Sequence, residues 1–231
     1  MKKATIKVNY LYNLAYQIFA MITPLITTPY ISRILSSDGI GQHTFSASII
    51  SYFAMFASLG FSVYAQREIA KYQGNKEKQS IIFWEIIICK IISGTICFVV
   101  CWIMIAFGVF KSYTLLISLL SIEIIGTTLN ISFFFQGNEE FRIIAVRDFI
   151  IKIIGVSLIF MFVHSKSDLW VYSLCMAGST LMSALSLWPC IKRNINKPNI
   201  TQLSPAKHFI PSIRLFIPTI AISVFMILDK H

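Results

Sequence analysis

Residues 81–107 read IIFWEIIICKIISGTICFVVCWIMIAF, and this stretch decides the fold class. Its only charged residues are Glu85 and Lys90. A transmembrane helix rises about 1.5 Å per residue and needs about 20 apolar residues to cross a hydrocarbon core about 30 Å thick. The stretch exceeds that length, and it lacks the alternation of a barrel strand. It therefore predicts a membrane-spanning helix.

The composition of the whole chain agrees with a lipid environment. Of the 231 residues, 56% are hydrophobic and 13% are charged, and the mean hydropathy is +0.71. A soluble domain has roughly 45–50% apolar and 25% charged residues, so one aqueous core could not bury this much apolar sequence. The five cysteines lie in or at the ends of apolar runs without metal-ligand spacing, which predicts a packing role and no metal site.

Six apolar stretches and a shorter seventh follow one another along the chain. They are residues 10–31, 43–65, 81–107, 113–135, 149–164 and 169–191, and then 215–228. We therefore predict an all-α, polytopic membrane helix bundle, with one six-helix lobe plus a truncated seventh transmembrane helix. The predicted division is a lobe at 1–191, a cytoplasmic linker with an interfacial helix at 192–214, and an incomplete first helix of a second lobe at 215–231.

Lysine and arginine alternate between rich and poor connections. The amino terminus and the second, fourth and sixth connections hold most of them, whereas the intervening connections hold one each, namely Arg33, Lys111 and Lys166. The positive-inside rule places the cation-rich connections in the cytoplasm, so we predict a cytoplasmic amino terminus and three helical hairpins. The net charge of +10 then indicates topology and contact with anionic membrane lipids, with no nucleic-acid partner.

No motif of soluble catalysis occurs in the chain. We therefore predict that the protein is not an enzyme and has no catalytic residue, metal or cofactor. A membrane-embedded transferase that uses the loop carboxylates Glu139 and Glu140 is the open alternative.

Ionisable residues at membrane depth are candidates for function, because each costs about 2.5–3.5 kcal/mol on insertion scales. These residues are Glu85, Lys90, Glu123, Asp229 and Lys230. Lys90 and Glu123 both reach the bilayer midplane when counted along their helices, so they can pair. If Trp84 marks the inner interface instead, Lys90 can snorkel to water. The sequence leaves both interpretations open.

Four segments carry a family resemblance: TPYISRILSSDGIGQ at 28–42, YAQREIAK at 64–71, FFQGNEEFRIIAVRDFIIKI at 134–153, and FIPTIAI with LDK between 216 and 230. In order and spacing they resemble the Wzx-type polysaccharide repeat-unit flippases of the multidrug/oligosaccharidyl-lipid/polysaccharide exporter superfamily. The resemblance implies two six-helix lobes with alternating access, driven by an ion or proton gradient. The expected activity is the transfer of undecaprenyl-pyrophosphate-linked oligosaccharide across the bacterial inner membrane for O-antigen or capsule synthesis. On this resemblance we expect only the amino-terminal half.

The resemblance also implies site residues and partners. Arg33 in YISR and Lys230 in LDK match positions for cations that bind the anionic lipid-linked sugar, and Lys90 is added because of its depth. Ion or proton coupling would fall to Asp229 or Glu123. The implied partners are the lipid-linked oligosaccharide and the polysaccharide polymerase. A multidrug or ion antiporter and a non-functional fragment are the alternatives.

Overall fold

The computed structural model describes residues 6–192, 194–196 and 203–228. Within these ranges the chain is helical and has no strand. The α-helices are α1 Ile6–Ser58, α2 Phe61–Lys71, α3 Lys76–Ala106, α4 Thr114–Leu120, α5 Ile122–Leu129, α6 Ser132–Gly137, α7 Phe141–Phe162, α8 Leu169–Leu185, α9 Trp188–Ile191 and α10 Phe209–Leu228. Short 3-10 turns at Lys111–Tyr113, Lys166–Asp168 and Pro205–His208 precede α4, α8 and α10. Asp229 and Lys230 lie outside the described residues.

The connection between the first two predicted spans is a bend inside α1. Ser36 has φ 60° and ψ 171°, which are not helical, so α1 consists of two helical segments that meet there. The predicted span 10–31 lies in the first segment, which also contains Pro24 and Pro29. The span 43–65 lies in the second segment and continues into α2 after Leu59 and Gly60. The two spans are thus joined by a bend at Ser36 and not by the polar loop that hydropathy suggests.

Other spans differ from their predicted bounds. The predicted span 113–135 is divided into α4, α5 and α6, whereas 169–191 is divided into α8 and α9. α7 begins at Phe141 and not at residue 149, and α10 begins at Phe209 and not at residue 215. Hydropathy places a boundary wherever charges appear, but a helix can continue through charged residues when neighbouring helices supply polar partners.

Four segments of the described chain are long and apolar enough to cross a membrane: Met21–Lys71, Lys76–Ala106, Lys111–Gly137 and Lys166–Ile191. α7 has the length of a spanning helix but carries Arg147, Asp148 and Lys152 near its middle. The structure therefore agrees with a membrane helix bundle, while the count of six helices plus one stays a prediction.

Three clusters of buried apolar side chains follow one another along the bundle. The first joins α2, α3, α6 and α9 around Phe83. The second joins α1 to α3, α4, α5 and α8 around Ile117, and the third packs α1 around Leu35 against the end of α7 and the start of α8. The second and third clusters show that α1 lies against most of the other long helices, so it is central to the packing of the bundle.

The cation-poor connections lie together at one end of the bundle. The Tyr30 hydroxyl donates to the carbonyl of Val163 at 2.9 Å, just before the turn that holds Lys166. Phe45 contacts the ring of Tyr113, beside Lys111, with 4.9 Å between ring centroids. The three helical hairpins predicted from the sequence would also place the cation-poor connections at the same end.

Candidate functional site

The candidate site lies beside a break between α5 and α6. Asn130 is extended, with φ −70° and ψ 119°, so helical hydrogen bonding stops there. Side chains satisfy the carbonyls at the break: the indole of Trp188 donates to Leu129 at 3.0 Å, and Lys90 Nζ donates to Asn130 at 2.5 Å. The Asn130 side chain accepts from the amide of Ser132 at 2.8 Å. Non-helical backbone is tolerated at membrane depth only where such partners exist.

Arg147 of α7 lies on the other side of this site and contacts residues of α6 and α8. One terminal nitrogen of its guanidinium donates to both the carbonyl and the hydroxyl of Ser183 in α8, and the other donates to the Ser132 hydroxyl at 3.1 Å. Its Nε lies 3.2 Å from Asp148 Oδ1, and the Ser183 hydroxyl donates to the same carboxylate oxygen at 3.2 Å. The Arg147 side chain is only 9% exposed. A buried cation is thus fixed between α6, α7 and α8.

A cavity of about 470 Å³ opens beside Arg147. Polar side chains form much of its lining, namely those of Asn130, Ser132, Gln136, Arg147, Asp148 and Ser183. Ligand pockets commonly enclose about 300–1,000 Å³. A guanidinium matches phosphate and carboxylate geometry, and amide and hydroxyl groups can hydrogen-bond to sugar hydroxyls. The arrangement is therefore suited to a ligand with an anionic group next to hydroxyl groups.

Neither interpretation of Lys90 as an ion pair or as a snorkelling side chain agrees with the structure. Lys90 is fully buried, and its ammonium bonds to the Asn130 carbonyl and lies 5.5 Å from the centre of the Phe133 ring. Glu123 is half-buried on α5 and has no polar partner among the described residues. Lys90 binds the Asn130 carbonyl because the helix break leaves that carbonyl without a helical partner. Counting residues along regular helices does not reveal such a break.

Arg33 does not line the cavity. Arg33 is exposed in α1, three residues before the bend at Ser36, near the cation-poor end of the bundle. Asp229 and Lys230 lie outside the described residues. Lys90 reaches the edge of the cavity through its bond to the backbone of Asn130, which lines it.

The loop carboxylates of the transferase alternative lie in the turn before α7. Glu139 is exposed with φ 60°, and Glu140 is half-buried. Burial raises the pKa of the Glu140 carboxyl. Within the described ranges, no group of three or more His, Cys, Asp or Glu side chains is placed to hold a metal ion.

A second polar cluster surrounds Glu85 in α3, whose side chain is fully buried. Its Oε1 accepts from the amide of Ser204 at 2.7 Å and from Lys207 Nζ at 2.8 Å. Its Oε2 lies 2.7 Å from His208 Nε2, and the other ring nitrogen of His208 lies 3.0 Å from the Tyr64 hydroxyl. This cluster joins α3 and α2 to the turn before α10.

The sequence predictions missed Arg147, Asp148 and the partners of Glu85. The predicted span 149–164 leaves Arg147 in the connection before it, whereas α7 already begins at Phe141. The apolar residues 143–146 before Arg147 are a signal that could have moved the boundary earlier. His208 has no such signal, because its partner Glu85 lies 123 residues earlier in the chain.

Comparison with known proteins finds a matching family profile and curated relatives. The profile of a family described as "Polysaccharide biosynthesis protein" matches residues 6–230. A curated relative from Escherichia coli (strain K12), named "Putative O-antigen transporter", is 24% identical over 226 residues, which cover 96% of this chain and 54% of the relative. A relative of the same name from Shigella dysenteriae is 27% identical over 148 residues, which cover 63% of this chain and 37% of the relative.

The chain thus spans about half the length of the Escherichia coli relative that it matches. No solved structure matches it. Since the family profile covers nearly the whole sequence, this chain belongs to the polysaccharide biosynthesis protein family.

Proposed function

We propose that this chain forms the amino-terminal lobe of an exporter that moves lipid-linked oligosaccharide repeat units across the bacterial inner membrane for O-antigen or capsule synthesis. The observation that carries the proposal is the buried guanidinium of Arg147 at a polar cavity inside a membrane helix bundle. Buried cations in such bundles are costly, and they usually mark the path of a substrate or an ion. The names of both relatives, which describe O-antigen transporters, support the same conclusion.

The chemistry of the cavity favours a phosphate-bearing substrate. Undecaprenyl-pyrophosphate sugars carry an anionic headgroup next to hydroxyl groups, and Arg147, Ser132, Ser183 and Gln136 supply donors for both. In the present arrangement Asp148 and Ser183 occupy the guanidinium. A bound phosphate would take over part of these contacts. We therefore assign the anion contact to Arg147 in place of Lys90, whose ammonium already binds the Asn130 carbonyl.

The remaining predicted roles belong to the same proposal. Arg33 and Lys230 are proposed to contact the anionic substrate elsewhere along its path. Glu123 is a candidate for ion or proton coupling because it is half-buried and has no polar partner among the described residues. Asp229 shares that proposed role. The lipid-linked oligosaccharide, anionic membrane lipids and a polysaccharide polymerase are the proposed partners.

The test is deletion of the gene that encodes the chain, followed by complementation with its full reading frame. We expect the deletion strain to lose surface polysaccharide and to accumulate lipid-linked repeat units on the cytoplasmic side, and complementation to reverse both effects. Unchanged polysaccharide together with increased drug susceptibility would replace the proposal with a multidrug antiporter. If no phenotype were observed while the neighbouring assembly genes are active, the proposed transport function would be wrong.

A further inference from the structure

The turn before α10 is attached to the bundle by buried polar contacts. Glu85 accepts hydrogen bonds from Ser204 and Lys207 and lies within hydrogen-bond distance of His208. Four residues later in α3, the Cys89 thiol donates to the carbonyl of Pro205 at 3.2 Å. A carboxylate that is fully buried is stable only with such partners, and the loss of one partner leaves an uncompensated charge. Segment 203–208 is therefore held firmly against α3.

The first half of α10 is attached by close backbone packing. Gly60 has φ 71°, and a Cβ at this position would lie 2.6 Å from the carbonyl oxygen of Ser212. Only glycine permits this approach between the α1–α2 turn and α10. The ring centroids of Phe61 and Phe209 are 5.3 Å apart in an edge-to-face arrangement. A second aromatic contact, between Phe56 and Phe216, extends the packing to residue 216.

Just beyond this contact, α10 contains Pro218. Proline has no amide hydrogen for the carbonyl four residues earlier, and its ring crowds that carbonyl. Sharp bends in helices occur mostly at such residues. Pro218 is thus the first position after the attached segment at which α10 can bend at low cost.

We propose that the hinge between this lobe and the rest of the exporter lies at Pro218, and that residues 203–217 move with the lobe as one body clamped by Glu85. This inference rests on the proposed function, because a hinge is needed only if two lobes move. The boundary between the two moving parts would then lie inside α10. The composition of the sequence places that boundary earlier, in the predicted linker 192–214.

Distances between spin labels in the full-length protein, reconstituted in liposomes with its native cysteines replaced by serine, test the proposal without transport. One pair, Glu77→Cys with Ile210→Cys, joins α3 to the clamped part of α10. The other pair, Glu77→Cys with Leu228→Cys, crosses Pro218. We expect one narrow distance for the first pair and a distribution about twofold wider for the second. Equal widths for the two pairs would overturn the hinge at Pro218.

The clamp itself is tested by adding Glu85→Ala or the better tolerated Glu85→Gln to the first pair. We expect a broader distance distribution in both variants, and more so for alanine, since glutamine keeps one acceptor oxygen. If both distributions stay as narrow as that of the parent, Glu85 is not the clamp.

Export assays provide a second test with a matched pair of prolines. Pro218→Ala should lower export about tenfold at unchanged protein level, because it stiffens the hinge. Pro211→Ala, in the clamped first turn of the same helix, should leave export near the parent level. Equal losses in both variants would contradict the proposal. The spin-label distances do not depend on export, so a failed gene-deletion test would reject the proposed function and leave this test valid.

Discussion

At the scale of single residues, the proposed site centres on Arg147. The guanidinium is nearly buried and is shared between Ser132, Ser183 and Asp148. A lysine at this position could keep the charge but could not reach several acceptors in one plane. The shape of the side chain therefore matters as well as its charge.

Arg147→Ala should lower export in the full-length protein by about 10- to 100-fold, because it removes the proposed charge-assisted hydrogen bonds to the substrate. Arg147→Lys should lose less, since it keeps the charge. Export is measured as surface polysaccharide, normalised to the amount of tagged protein in the membrane. Arg142→Ala, on the exposed start of the same helix, is the control and should stay near the parent level. Equal losses for Arg142→Ala and Arg147→Ala would show that export depends on the positive charge of α7 in general and not on a binding site at Arg147.

Lys90 has a different role from Arg147, because its ammonium caps a backbone carbonyl inside the bundle. Lys90→Met should destabilise the protein by about 1–3 kcal/mol, since the Asn130 carbonyl would stay buried without its donor. The measurement is the midpoint of thermal unfolding in detergent. Lys78→Met, on the exposed start of α3, is the matched control and should leave the midpoint nearly unchanged. An unchanged midpoint for Lys90→Met would mean that water replaces the ammonium.

At the scale of elements, close approach between helices depends on glycines that face neighbouring helices. A Cβ on Gly94 of α3 would overlap the side chain of Thr128 in α5. In α8, by contrast, a Cβ on Gly178 would meet nothing within 4 Å. The two glycines have the same helical backbone but opposite surroundings, so they form a matched pair.

Gly94→Ala should destabilise the bundle by about 1–3 kcal/mol, because the methyl group forces α3 and α5 apart. Gly178→Ala should be neutral or stabilise the bundle by up to about 1 kcal/mol, since alanine favours the helix over glycine. Thermal unfolding of both variants in the same detergent checks the comparison. A loss of stability in Gly178→Ala that matched the loss in Gly94→Ala would refute the packing explanation.

At the scale of the whole molecule, the connections with few cations gather at one end of the bundle. Contacts of Tyr30 with Val163 and of Phe45 with Tyr113 bring three such connections together. The packing therefore groups the connections that the charge pattern identifies as poor in cations. Which end faces the cytoplasm is predicted by the positive-inside rule.

Labelling with a membrane-impermeant maleimide checks this orientation. In a cysteine-free version of the full-length protein, Ser167→Cys should react in cells with a permeabilised outer membrane. Glu77→Cys should react only after the inner membrane is opened, because the connection before α3 is rich in cations. Both positions are exposed. The opposite labelling pattern would reverse the orientation that we predict.

The sequence alone determined the membrane class, the all-α fold and the relationship to polysaccharide exporters. Hydropathy is summed over neighbouring residues, so it detects long apolar helices such as α3 without any knowledge of their partners. It also identified Lys90 and Glu123 as buried ionisable groups. It could not place the ends of α7, where polar partners from other helices allow charged residues inside the helix.

Only the tertiary structure decided which polar groups meet. Arg147 bonds to Ser183, 36 residues later in the chain, and Glu85 lies beside His208, 123 residues later. Such pairs leave no periodic signal, because they depend on the packing of helices that are distant in sequence. The break at Asn130 frees the carbonyl that binds Lys90, and Asn130 also lines the cavity beside Arg147. The sequence thus shows which residues are costly to bury, and packing decides what stabilises each of them.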